Sequence, residues 1–188
     1  RGNGNLNSAL MALANARNYV NLSEYDSALV WYNLAAELDS AGSFRREIAR
    51  EGLACATSAN DSLAMVKMMT NTLGASDMEG RAEELVIAIR WLLTERDTKS
   101  LAHLLQKIDS HPAVSEPRLQ FWQAYALSWL GRTEEALAEM RQLVLTGGLS
   151  NGLSERQRSW VLVGMADNYF LLGESGVARD LYSTLSSC

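Results

Sequence analysis

Between Ala12 and Asp39, small and aromatic residues fall at Ala16, Tyr19, Tyr25, Ala28, Tyr32 and Ala35. Within each half of this stretch the steps are three or four residues, the spacing that keeps side chains on one face of an α-helix. The period breaks at Asn21-Leu22-Ser23-Glu24. A turn that short obliges the two helices to lie side by side. Small side chains at Ala16 and Ala28 let their backbones approach, and the larger residues fill the space around them. Ser23 is expected to cap the second helix, its hydroxyl accepting an unpaired backbone N–H.

The unit repeats. With the second-helix alanine as marker, equivalents stand at Ala64, Ala102, Ala136 and Ala178, at separations of 36, 38, 34 and 42 residues. Ala124, Leu127, Gly131, Ala136 and Met140 make a fourth unit, and Ala166, Tyr169, Gly173, Ala178 and Tyr182 a fifth. In both, a glycine stands where the first helix must stop, because glycine enters the left-handed region without strain. The second unit keeps Gly52 and Ala64 but has Cys55 where an aromatic is usual. The third has Ala102, but Arg90 where the small residue belongs, so its first helix is expected to be shifted or longer.

This series resembles the tetratricopeptide repeat, which places a small residue and then Tyr in its first helix and an aromatic, Ala, aromatic, Ala series around its second. The resemblance is carried by units one, four and five, and other helical-hairpin solenoids stay open for the middle. It implies an all-α fold, a right-handed α-α superhelical solenoid of about five hairpins. The whole of 1–188 is expected to be one repeat domain, with units at 6–39, 43–73, 78–109, 116–146 and 155–187. The helices are expected at 6–21, 25–39, 43–57, 60–73, 78–95, 98–109, 116–130, 133–146, 155–172 and 175–187. Ser154-x-x-Gln157 reads as a capping box, and Ser115-Glu116-Pro117 puts an acid and a proline at a helix start. The glycine-rich run from Gly147 to Ser154 is the expected flexible connection.

Composition agrees with helix. There are only two prolines in 188 residues, and hydrophobic residues at 47% against 21% charged are enough for a packed core. The net charge of −5 and a pI near 5.1 exclude a phosphate-tracking nucleic-acid surface, for which Arg45, Arg46 and Arg50 are too few. No apolar run approaches the roughly 18 residues of a membrane span, so no direct membrane insertion is expected. The start, Arg1-Gly2-Asn3-Gly4-Asn5, has neither an initiator Met nor a signal-peptide apolar region, and the chain reads as part of a larger protein. Cys55 and Cys188 form no disulfide framework or zinc pattern, which leaves the compartment open.

Catalysis has few candidates. His103 and His111 lack a Cys or carboxylate partner at ligand or triad spacing, and there is no phosphate-cradling loop or nucleophile elbow. Glu83-Glu84 and Glu134-Glu135 fall early in expected helices, where acids favour the dipole. No enzyme activity, cofactor or metal is expected.

The resemblance implies a concave groove, lined mainly by first helices, that holds a peptide or helix of another protein. Carried along the repeat, the groove positions of the last three units are Trp91, Phe121, Tyr125, Trp129, Trp160, Asp167 and Phe170. Those of the first two are Leu13, Arg17, Asn21, Arg46, Ala49 and Leu53. Aromatics therefore gather towards the C-terminal half, and large rigid rings are favoured binding anchors. The competing reading places these rings in the packing between successive helices. A terminal-carboxylate clamp built from Arg17, Asn21, Arg46 and Arg50 is disfavoured by its spacing. Two further functions stay open: a ligand-sensing or regulatory domain of a bacterial signalling or transcription protein, and a periplasmic solenoid of a secretion or polysaccharide-export system. Because no polar capping helix follows the fifth unit, the last repeat is expected to be covered either by further repeats of a larger protein or by another molecule, a second copy of the chain among them.

Overall fold

The computed structural model of the protein describes residues 2–72, 82–109, 116–147 and 153–186. All regular structure among them is helical: α1 Gly2–Asn21, α2 Tyr25–Leu38, α3 Arg45–Ala59, α4 Ser62–Thr72, α5 Ala82–Glu95, α6 Thr98–Asp109, α7 Pro117–Trp129, α8 Thr133–Leu145, α9 Glu155–Leu171 and α10 Ser175–Ser186. α1 starts four residues before its expected position, and the expected first turn of α5 at 78–81 lies outside the described residues. Every other described bound falls within two residues of expectation.

The helices pair through one turn used five times. Ser23, Asn60, Arg96, Gly131 and Gly173 all have positive φ, between 55° and 84°, and stand 37, 36, 35 and 42 residues apart. At each, the N–H of the next residue reaches the carbonyl five positions back: Glu24 to Tyr19, Asp61 to Ala56, Asp97 to Leu92, Arg132 to Leu127 and Glu174 to Tyr169. The N–H of the turn residue itself reaches the carbonyl three back, as in Ser23 to Val20 and Gly173 to Phe170. These two bonds satisfy the orphan carbonyls of the first helix in the manner of a Schellman motif. The second helix then starts two residues after the turn residue. Gly131 and Gly173 enter the left-handed region as expected, but Ser23 does not cap α2. It is itself the left-handed residue, and Glu24 at the N-cap makes no side-chain capping bond. In the second and third hairpins the caps are acids: Asp61 Oδ1 accepts from Ala64 N–H at 2.9 Å, and Asp97 Oδ1 from Ser100 N–H at 3.0 Å.

The turn also corrects the repeat register. The residue whose N–H closes the first turn of each second helix is Ala28, Met65, Leu101, Ala136 and Ala178, each buried. Ala64 and Ala102 are neighbours of that position and only half-buried. The seventh residue before each turn residue is Ala16, Leu53, Ile89, Ala124 and Ala166, again all buried. Ile89, not Arg90, therefore holds the position of Ala16, and α5 is not shifted relative to its turn.

By contacts the chain divides into two compact units, Arg1–His111 and Pro112–Cys188. In the first, each of α1–α5 packs on the next helix, and α2 on α4, α3 on α5, α4 on α6. Gly52 on α3 lets that helix close on α4, since a Cβ there would stand 2.6 Å from Met68 Sδ. In the second, α7, α8, α9 and α10 pack in chain order and α7 also meets α9. Its core joins Phe121 and Ala124 of α7, Leu137 and Met140 of α8, and Val161 and Met165 of α9.

Two caps hold the second unit's helix starts. Glu116 accepts from Leu119 N–H at 2.7 Å with Pro117 behind it, and Ser154 and Gln157 form the expected capping box. The expected flexible run lies mostly outside the described residues.

Candidate binding site

α7 and α9 are the first helices of the fourth and fifth hairpins, and a cleft of about 260 Å³ runs between them. On α7, Phe121, Tyr125 and Trp129 recur every four residues and so share one stripe. On α9, Trp160, Gly164, Asp167 and Leu171 follow at four, three and four, and face them. Gly164 keeps α9 low against α8: a Cβ there would stand 2.8 Å from Met140 Cε.

The rings form a connected wall. Phe121 stacks on Tyr125 at 6.3 Å between centroids, and Tyr125 meets Trp160 edge-on across the two helices at 5.7 Å. Trp122 abuts both α7 rings from the core side. Phe121 is buried, so its ring is part of the core, whereas Trp129 and Trp160 keep 41% and 44% of their surface in water. The polar floor is closed on itself. Asn168, 2% exposed, donates from Nδ2 to the Gly164 carbonyl at 2.6 Å and to Ser128 Oγ at 2.9 Å, tying α9 to α7. At the rim, the exposed Asp167 carboxylate accepts a hydrogen bond from the Tyr182 hydroxyl of α10. That bond, with the carboxylate's charge behind it, raises the Tyr182 phenol above its ordinary range.

No family model, curated protein or solved structure matches the chain. What the site can do therefore rests on its own geometry.

Five of the seven expected groove residues line this cleft: Phe121, Tyr125, Trp129, Trp160 and Asp167. Phe170 does not. It is 62% exposed, and the lining position belongs to its neighbour Leu171, which precedes Gly173 by two residues just as Trp129 precedes Gly131. Trp91 is half-buried on α5 in the first unit. Counted from the turn, the position of Tyr125 and Asp167 falls there on the exposed Arg90. Both departures come from aligning by residue type where the backbone turn sets the register. Counting back from the glycines would have found Leu171; Asn168 and Ser128, which position the wall, carry no signal in the sequence.

The first unit has the same depression between α1 and α3, with a different lining. Its volume is about 480 Å³, and Arg17, Asn21, Tyr32, Glu51, Cys55 and Ser58 are among its walls. Arg17 takes the position of Tyr125, six before the turn residue. Its guanidinium donates to the two oxygens of Glu51 at 2.8 and 2.9 Å and to Glu47 at 3.3 Å, and the Tyr32 hydroxyl donates to Glu51 at 3.3 Å. The guanidinium holds the Glu51 carboxyl below the usual carboxylate range, while burial and the nearby carboxylate push the Tyr32 phenol up. Arg50 also approaches Glu51, at 3.8 Å. Arg17 is thus satisfied by acids of its own chain, which removes the principal cation of the carboxylate clamp. Cys55 is buried, its thiol donating to the Tyr25 carbonyl, and burial lifts its pKa to about 11.

His103 is exposed on α6, and His111 and Cys188 lie outside the described residues. Glu134 and Glu135 stand in the first turn of α8, where Arg132 pairs with Glu135. Among the described residues no group of His, Cys, Asp and Glu is arranged to hold a metal, and no helix is long and apolar enough to cross a membrane.

Proposed function

We propose that this chain is a non-catalytic interaction module, a right-handed solenoid of tetratricopeptide-like hairpins, and that the α7–α9 cleft binds an apolar or amphipathic segment of another protein. One observation carries the reading: two indoles, Trp129 and Trp160, flank a walled cleft while leaving over two-fifths of their surface in water. Rings placed only to fill helix contacts would be covered, as Phe121 is. The five equivalent turns support hairpins of one kind, and within each unit successive first helices meet, α3 with α5 and α7 with α9.

The test replaces exposed lining only. Trp129→Ala with Leu171→Ala removes two side chains that are 41% and 71% exposed, so helical content by circular dichroism is expected to persist. Captured partner is expected to fall by an order of magnitude or more, as for anchor residues worth about 2 kcal/mol or more each. Unchanged capture by a folded double variant would defeat the reading. A second reading, self-association through the last hairpin, rests on the exposed Phe170, Leu172 and Val177 at the end of α9 and start of α10. Sedimentation at rising concentration separates the two.

A further inference from the structure

We infer that the group seated in the α7–α9 cleft is a cation, the guanidinium of an arginine presented by the partner segment, with Asp167 as its counter-ion. The inference rests on the peptide-binding reading above and narrows it to one side chain.

Four observations converge. Among the described residues, Asp167 is the only carboxylate on the lining and none of the lining residues is basic. Its walls include the rings of Tyr125, Trp129 and Trp160, and the electron-rich faces of such rings attract a cation. A volume of about 260 Å³ is below the roughly 300–1,000 Å³ of sites that enclose a drug-sized ligand, and suits one long side chain. The equivalent depression of the first unit already holds a guanidinium. There the chain's own Arg17 lies between α1 and α3 against Glu51, with the Tyr32 hydroxyl sharing the carboxylate. In the second unit the position of Arg17 is Tyr125 and that of Glu51 is Gly164, packed against Met140, so among the described residues this lining has neither that cation nor that acid.

Arginine fits better than lysine. The guanidinium is planar, stacks on aromatic faces and is less strongly hydrated than an ammonium, so it loses less on entering an indole-walled cleft. In the same unit the Arg141 guanidinium lies 5.2 Å from the Tyr169 ring centroid and donates to the Tyr169 hydroxyl at 2.6 and 3.0 Å. Tyr182 donates to one oxygen of Asp167, which fixes the carboxylate at the rim and leaves its other oxygen to accept from an incoming N–H.

The experiment titrates the full chain, by tryptophan emission and calorimetry, with a blocked peptide carrying one arginine between apolar residues. Matched peptides carry citrulline, lysine or leucine at that place. The arginine peptide is expected to bind about tenfold more tightly than its citrulline twin, the worth of a charge-assisted contact with cation–π support. Asp167→Asn, an exposed and nearly isosteric change, is expected to weaken the arginine peptide far more than the citrulline peptide and so to erase that difference. Trp129→Ala weakens both peptides. Equal binding of arginine and citrulline, or tightest binding of leucine, overturns the cation inference but leaves the apolar-segment reading standing. If no peptide binds and Trp129→Ala changes nothing, both fall. Preference for lysine overturns the guanidinium and keeps the cation.

Discussion

Glu51 concentrates the charge chemistry of the first unit in one carboxylate. It accepts two hydrogen bonds from Arg17 and one from Tyr32, a ring only 2% exposed. Arg17 is 44% exposed at its side chain, so solvent screens the pair and its worth is about 1 kcal/mol or less. Because the native state holds the Glu51 carboxyl below its ordinary value, it stabilises the fold above the unfolded carboxylate's pKa. That contribution disappears as pH falls through the lower, folded value. Glu51→Gln is therefore expected to lower the urea midpoint near pH 7, and the gap from the parent should close at pH values below about 4. A gap of constant size from neutral to acid pH would mean that packing, not charge, gives Glu51 its role.

Residue identity was legible in the sequence where one residue type is physically required, and slipped where it is not. Gly131 and Gly173 announced their turns because glycine alone enters the left-handed region freely. Ser23 and Arg96 make the same turn at a conformational cost with no side-chain mark of it, and Asn60, which tolerates the left-handed region, is a fainter mark than glycine. Without a glycine at the turn, residue types alone set Ala64, Ala102 and Arg90 one residue out of register and put Trp91 at the groove position that the turn gives to Arg90. In the fourth and fifth hairpins, where the glycines mark the turns, the stripe of Phe121, Tyr125 and Trp129 and the facing Trp160 and Asp167 are legible in the sequence. Phe170 is the exception, one residue short of Leu171, which a count of two back from Gly173 identifies.

At the scale of the helix hairpin, the five turns make a controlled comparison, since the backbone geometry is shared and the residue varies. At Gly173 the space a Cβ would occupy is empty, so Gly173→Ala adds no clash and tests the backbone alone. Its φ of 84° is costly for an L-residue, and a loss of about 1–2 kcal/mol is expected. The reverse change, Arg96→Gly at φ 57°, relieves the same strain, but glycine also loosens the unfolded chain. A net gain of up to about 1 kcal/mol is expected there. Both are read from urea unfolding of single variants. A neutral Gly173→Ala would mean that the turn relaxes out of the left-handed region, and the shared hydrogen-bond pattern would then not define the hairpin. Gly164 lies mid-helix and belongs to a different class. A methyl there meets the end of Met140, a flexible side chain under the cleft floor, so Gly164→Ala should alter the cleft more than it alters stability.

For the molecule as a whole, the net charge of −5 and the aromatic cleft act on different stages of association. Long-range charge steers an approaching cationic partner and raises the association rate, whereas the desolvated contacts at the indoles govern how long the complex lasts. The two are separable by salt, because raising ionic strength from about 0.01 M to about 1 M shortens the Debye length from about 30 Å to about 3 Å. For the arginine peptide, the association rate is expected to fall across that range by about tenfold or more, with a much smaller change in dissociation. Trp129→Ala should show the opposite pattern, a faster dissociation with a nearly unchanged association rate, since it alters no charge. Stopped-flow tryptophan emission gives both constants, and Trp160 still reports when Trp129 is absent. If salt acted mainly on dissociation, the attraction would be local, confined to Asp167 at the rim. Asp167→Asn would then abolish the salt dependence, whereas steering by the whole chain would survive it with only one charge in five removed.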